Sequence, residues 1–125
     1  MPILNIKALP QNDPELVQRA MKRTNLAIAE VCNCDPKHVW STWAELESGC
    51  YVEGDRESVQ QPHDTHPPIC ELICFEGHDQ DKIEQILKVT ASTLGEELGI
   101  ENNVFVYYRE VKSGQVVTGD GIVRK

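Results

Sequence analysis

A tandem repeat constrains this chain more than any other feature. The run Pro68-Ile69-Cys70-Glu71-Leu72-Ile73-Cys74-Phe75 lies over Pro2-Ile3-Leu4-Asn5-Ile6-Lys7-Ala8-Leu9. Both open with proline, which has no N–H for a sheet ladder and suits the first position of a strand. After the first run, Asn12-Asp13-Pro14-Glu15 supplies an N-cap candidate, a first-turn proline and an acid at the positive end of the helix dipole. Leu16, Val17, Ala20, Met21, Thr24, Ala27, Ile28 and Val31 then follow the i, i+3, i+4, i+7 rows of an amphipathic helix. Cys34-Asp35-Pro36 breaks it, because proline disfavours helical geometry in the residue before it. In the second half His78-Asp79 takes the place of Asn12-Asp13, and Ile83, Ile86, Leu87, Thr90, Leu94 and Leu98 mark a second helix ending near Gly99. A β-rich run over 38–46 reappears over 104–111, Ser48-Gly49 returns as Ser113-Gly114, and Gly54 as Gly119.

The chain therefore reads as a duplicated β-α-β unit: unit one over 2–54, a polar connector over 55–67 and unit two over 68–121, within a single domain spanning 1–125. Right-handed crossovers would make two parallel strand pairs, joined into a four-stranded sheet with both helices on one face, an α/β (α+β) architecture. The net charge of −8, with no Lys/Arg run, argues against a general nucleic-acid or anionic-membrane binder. No basic stretch leads into an apolar one at the start, and no apolar run approaches a membrane span, so a cytoplasmic chain is expected. Five irregularly spaced cysteines fit reduced thiols better than a disulfide framework, and Cys70 and Cys74, four apart in a strand, should be small core residues. Cys32-Asn33-Cys34 lacks a second ligand pair for zinc, and the histidines of His63-Asp64-Thr65-His66 read as solvated linker side chains rather than a metal site.

Pro2 carries the chemistry to be weighed. It is either an incidental neighbour of the start codon or, once Met1 is removed, a secondary amine able to act as a base. An α-amino group titrates near 7.7–8.0 in model peptides. Apolar surroundings disfavour its cation and bring it towards the working pH for proton transfer. Pro68 sits inside the chain as a tertiary amide and cannot take a proton, so at most one such site exists per chain.

A proline-headed, duplicated β-α-β unit resembles the tautomerase superfamily. The second half looks like one 4-oxalocrotonate tautomerase subunit: Pro68-Ile69 opening, Glu76-Gly77 closing the strand, then helix, Val104 to Val111, and Gly114. Two units in one chain are the arrangement of the cis-3-chloroacrylic acid dehalogenase, malonate semialdehyde decarboxylase and macrophage migration inhibitory factor groups. The resemblance implies a homotrimer, Pro2 as general base and acid, a small organic acid substrate and no cofactor. Tyr107 matches a tyrosine that the dehalogenases place beside substrate, although it can equally be a sheet-face tyrosine with its hydroxyl satisfied elsewhere.

The family's substrate-gripping arginines are replaced. Where 4-oxalocrotonate tautomerase has them, this chain has Asn12 and His78, and Trp40 and Phe105. The paired arginines of the dehalogenases and the decarboxylase fall at Phe75, Gly77, His78 and Asp79, and the acid that activates water falls at Thr118. Hydrolytic dehalogenation is not expected. His78, Arg109 and Lys7 remain as cations for one carboxylate, against the alternative that Arg109 and Lys7 are solvated and that His38 is a surface imidazole. Trp40, Trp43, Phe105 and Tyr107 would line a less polar pocket, suited to an aromatic or monocarboxylic enol. The expectation is keto–enol tautomerisation of a small 2-oxo acid. The alternatives are a decarboxylase or hydratase of 3-oxo or unsaturated acids, and a binding or structural protein on the same fold.

Overall fold

The computed structural model describes residues 1–124. The first unit runs β1 (Ile3–Ala8), α1 (Glu15–Cys32) and β2 (Trp40–Glu45), followed by a small ribbon of β3 (Val52–Glu53) and β4 (Arg56–Glu57). The second runs β5 (Ile69–Phe75), α2 (Gln80–Leu98) and β6 (Phe105–Val111), followed by a ribbon of β7 (Val116–Thr118) and β8 (Gly121–Val123). The four long strands form one sheet in the order β2-β1-β5-β6. β1 with β2 and β5 with β6 are parallel, as the right-handed crossover through a helix requires, and β1 and β5 meet antiparallel at the centre. The duplicated β-α-β architecture expected from the repeat is the one observed.

Alternation along the strands decides which side chains meet the helices. Leu4, Ile6 and Ala8 of β1 and Cys70, Leu72 and Cys74 of β5 are buried against them. The two cysteines are core residues, as their spacing predicts. From the helices come Ala20, Thr24 and Ile28 of α1 and Ile86, Thr90 and Leu94 of α2, equivalent positions of the repeat. Both buried threonines satisfy their hydroxyls on the carbonyl one turn back, Thr24 on Ala20 and Thr90 on Ile86, each at 2.7 Å. The helices follow antiparallel strands and so run antiparallel. Arg19 and Arg23 meet Glu97 at one end, and Lys82 Nζ donates to the last-turn carbonyl of Val31 at the other.

The ends of α2 match the sequence signals, whereas α1 starts from Pro14 without a side-chain cap. Asp79 caps α2 by accepting from the Lys82 N–H at 2.8 Å, and Gly99 closes it in the left-handed region at φ 70°. α1 ends on Asn33 at φ 53°, so the turn-forming asparagine terminates the helix before Asp35-Pro36 is reached. The strand expected over 38–46 starts later, at Trp40. Asp35 accepts from the Lys37 N–H and Pro36 opens a single 3₁₀ turn over Pro36–His38, which places His38 outside the strand and on the surface. No helix among the described residues is long and apolar enough to cross a membrane.

His66 departs from the expected solvated linker. It is 4% exposed, sits at φ 47°, and its ring packs edge-on against Tyr51 with centroids 5.1 Å apart. Its Nε2 lies 2.8 Å from the Arg56 carbonyl and its Nδ1 3.0 Å from Thr65 Oγ1, while its backbone N–H donates to Glu53. Tyr51 Oη in turn donates to the Pro67 carbonyl at 2.6 Å. The segment is polar because it satisfies backbone groups internally, without any apolar period to reveal it. His63 is exposed, as expected. Among the described residues no three His, Cys, Asp or Glu side chains are grouped to hold a metal ion.

Gly95 packs directly against backbone. A Cβ on it would clash with the Glu101 carbonyl oxygen, which belongs to the backbone turn closing α2. Gly95→Ala should therefore lower stability by about 1–3 kcal/mol, the usual range for overpacking a core, seen as a lower denaturation midpoint with an unchanged slope.

Candidate active site at the end of the central strands

Pro2 precedes β1 and is in phase with Leu4 and Ile6, so it is buried on the helix side of the sheet. Its carbonyl accepts from the Trp40 N–H at 3.0 Å, which starts the β1–β2 pairing. The antiparallel register of β1 and β5 carries it to the end of β5, because Ile3 stands opposite Ile73 and the next step reaches Cys74. The crossover brings the C-terminal end of α1 to the same place. The result is a cleft of about 280 Å³ whose walls include Met1, Pro2, Cys32, Cys34, Cys74 and His78. While Met1 is attached, the Pro2 nitrogen is an amide and the free amine belongs to Met1.

His78 is thus the one predicted partner that the fold brings to Pro2 within a single chain. It is half-buried, just beyond the Gly77 turn that ends β5. Phe75, Glu76 and Gly77 complete the rim, and the Glu76 carboxylate is occupied in accepting from the Ser113 N–H at 2.9 Å. Two of the thiols, Cys32 and Cys74, are held neutral. Burial pushes Cys32 up to about 11, with Cys74 and Cys34 adding to the rise. Burial raises Cys74 as well, while the terminal ammonium favours both thiolates slightly. The Tyr108 hydroxyl is buried behind them with no oxygen or nitrogen partner; the Cys74 thiol is its polar neighbour, and burial raises its pKa.

Of the other predicted residues, Trp43 pairs with Ile6 and packs against the helix-side core, and the rest occupy the opposite, open face of the sheet. Register places Trp40, Ile3, Ile73 and Arg109 in one row across the four strands, Thr42, Asn5, Glu71 and Tyr107 in the next, and Ala44, Lys7, Ile69 and Phe105 in the third. Trp40 and Phe105 are more than half exposed there, at 52% and 55%. Alternation is the reason: Lys7, Trp40, Phe105, Tyr107 and Arg109 all share the phase of Ile3, one residue out of step with Pro2. Within one chain Tyr107 and Arg109 do not reach the cleft.

On that face Glu71 is the organising residue, and sequence reasoning passed it over. Tyr107 Oη donates to its carboxylate at 2.9 Å and Arg109 Nε approaches it at 3.4 Å. Alongside, Thr42 Oγ1 donates to Asn5 Oδ1 at 2.7 Å, and Asn5, Thr42, Glu71, Tyr107 and Lys7 line a shallow depression of about 340 Å³. The available signal was that Asn5 and Glu71, at equivalent positions of the two units, both interrupt the apolar run of their strands.

The Glu71 carboxylate accepts the phenol proton and repels a phenolate, so it raises the pKa of Tyr107, while Arg109 opposes the effect. Burial and Glu53 raise Tyr51, so all three tyrosines should ionise above the ordinary value of about 10. In a spectrophotometric titration, Glu71→Gln should move one of the three back down and leave the others in place. An unchanged curve would contradict the hydrogen bond.

No protein-family model and no curated protein matches the sequence. Solved structures do match the fold along nearly its whole length. Pt0534 inactivated by 2-oxo-3-pentynoate superimposes with a TM-score of 0.84 at 17% identity, covering 97% of this chain and 94% of that one. A wild-type fused 4-OT symmetric trimer gives 0.82 at 12% identity over 97% and 94%. Malonate semialdehyde decarboxylase gives 0.73 at 13% identity over 94% and 90%. The two helices on a mixed four-stranded sheet, built twice over from one β-α-β unit, are the tautomerase fold of these solved structures.

Proposed function

We propose that the protein is a cofactor-independent tautomerase in which Pro2, freed of Met1, takes a proton from an enol or α-carbon of a small 2-oxo acid and returns it elsewhere. The observation that carries this reading is the place of Pro2: buried at the end of the central strand, on the wall of a cleft in a tautomerase-superfamily fold. Neutral side chains of the cleft, Cys74 and Phe75 among them, stand beside the amine proposed as the base. His78, on the same cleft, is the group proposed to polarise the carbonyl or hold a carboxylate. Without arginines at its rim, the cleft suits an aromatic or monocarboxylic substrate better than a dicarboxylate.

Tyr107, Arg109, Trp40, Phe105 and Lys7 enter this reading through assembly. They share an exposed, partly aromatic sheet face, which a cytoplasmic homotrimer would cover with neighbouring copies. In that assembly Tyr107 is proposed to act at a neighbour's cleft. Trimeric fused 4-OT on the same fold supports this reading. A second reading, decarboxylation or hydration of a 3-oxo or unsaturated acid, is favoured by the likeness to malonate semialdehyde decarboxylase, described with decarboxylase and hydratase activities.

Pro2→Ala should lower kcat/KM for phenylenolpyruvate ketonisation by roughly 10²–10⁴, the share of a positioned acid–base group, with equal rates sinking Pro2 as the base. Protein that retains Met1, identified by its intact mass, should be as inactive as the variant. Assays with 2-hydroxymuconate and malonate semialdehyde separate the two readings. Sedimentation should report three times the chain mass, and a monomer at micromolar concentration would remove Tyr107 from the site.

A further inference from the structure

The cleft beside Pro2 has a wall that proton transfer does not use. Three of the chain's five cysteines, Cys32, Cys34 and Cys74, line it, and all five are reduced. Cys74 is almost fully buried at the end of β5, and Cys32 lies in the last turn of α1. Burial holds both as neutral thiols, which are poor nucleophiles. Cys34 differs in position. It is the residue just beyond the left-handed Asn33, outside the helix, partly exposed, and anchored by its own N–H on the Ala29 carbonyl at 3.0 Å. It therefore presents a positioned thiol at the accessible edge of the cleft.

We propose that Cys34 is a covalent capture site for conjugated carbonyl compounds, specifically α,β-unsaturated 2-oxo acids, that enter the cleft beside Pro2. The inference rests on the reading of this cleft as a site for small 2-oxo acids. Such a ligand, with its carbonyl towards Pro2 and His78, directs its β-carbon to the thiol wall. The thiol proton passes to a base of the cleft, the sulfur forms a C–S bond to the β-carbon, and the alkene pair moves into the carbonyl as an enolate. The enolate then recovers the proton at its α-carbon. The adduct has the mass of protein plus ligand, nothing leaves, and no oxidant or reductant takes part.

Cys50 supplies an internal control. It is exposed, lies in the turn after Ser48-Gly49 and does not line the cleft. Cys34 is only partly exposed, whereas Cys50 is open to solvent. Accessibility therefore favours Cys50, and preference for Cys34 requires recruitment by the cleft.

The full-length protein is treated with limiting 2-oxo-4-phenylbut-3-enoate or with iodoacetamide, and adducts are located by peptide fragmentation over time. The enone should label Cys34 at least about tenfold faster than Cys50, a modest share of what proximity can supply, whereas iodoacetamide should prefer Cys50. Saturating phenylpyruvate should slow the enone at Cys34 alone, and Cys34→Ser should remove the fast adduct and leave Cys50 labelling intact. Enone labelling that favours Cys50, or a fast adduct on the terminal amine, Cys32 or Cys74, overturns the proposal. Ketonisation of phenylenolpyruvate is measured on the same unlabelled protein. Activity without fast Cys34 labelling overturns the capture site alone; fast Cys34 labelling without activity keeps the capture site and removes the tautomerase reading.

Discussion

The antiparallel pairing of β1 with β5 is the interaction on which the rest of the structure depends. Each β-α-β unit alone has a two-stranded parallel sheet under one helix, with an apolar face too small to be stable in isolation. Pairing Ile3 with Ile73 and Lys7 with Ile69 joins the units about a local dyad. That joint lays Leu4 and Ile6 beside Cys70 and Leu72, and brings Ile28 and Leu94 of the two helices onto one continuous core. It also runs the start of β1 towards the end of β5, which is how the first residues of the chain arrive beside Cys74 and the Gly77 turn.

The same pairing sorts polar groups between two faces. Residues in phase with Leu4 face the helices, and most buried polar groups there are small or internally satisfied: threonines bonded to their own helix and thiols kept neutral by burial, with the unpartnered Tyr108 hydroxyl as the exception. Cys70, with its thiol pushed up to about 12, is the extreme case. Residues in phase with Ile3 face outward and tolerate charge, and there Glu71 gathers Tyr107 and Arg109 into one network. A carboxylate accepting from a phenol and facing a guanidinium fixes two long side chains at little desolvation cost. The tyrosine singled out by resemblance is therefore held by its own chain, on the face away from its own Pro2.

The cleft differs from the open face in character. Its wall mixes apolar and polar surface, bears thiols and is short of fixed positive charge, with His78 and the terminal amine as its basic groups and Glu76 as its acid. A site of that kind offers a small ligand apolar surface together with a few polar groups to orient it.

The sequence by itself determined the elements and their duplication. Prolines at 2 and 68, amphipathic periods through both helices, and caps at Asp79 and Gly99 are local signals, each written in a few neighbouring residues, and the observed strands and helices follow them. Local signals also misled where a short-range contact outweighed propensity: the Asp35 cap delayed β2, and His66 was buried by partners on β3, β4 and the connector. Only the tertiary structure decided which candidates meet. His78 joins Pro2 because β5 returns antiparallel to β1; Tyr107, Arg109, Trp40, Phe105 and Lys7 do not, because a period of two puts them on the other face. Cys32 and Cys34 reach Pro2 only through the crossover of α1. Register and crossover join residues far apart in the chain, and no pattern of neighbouring residues records which distant side chains they bring within reach.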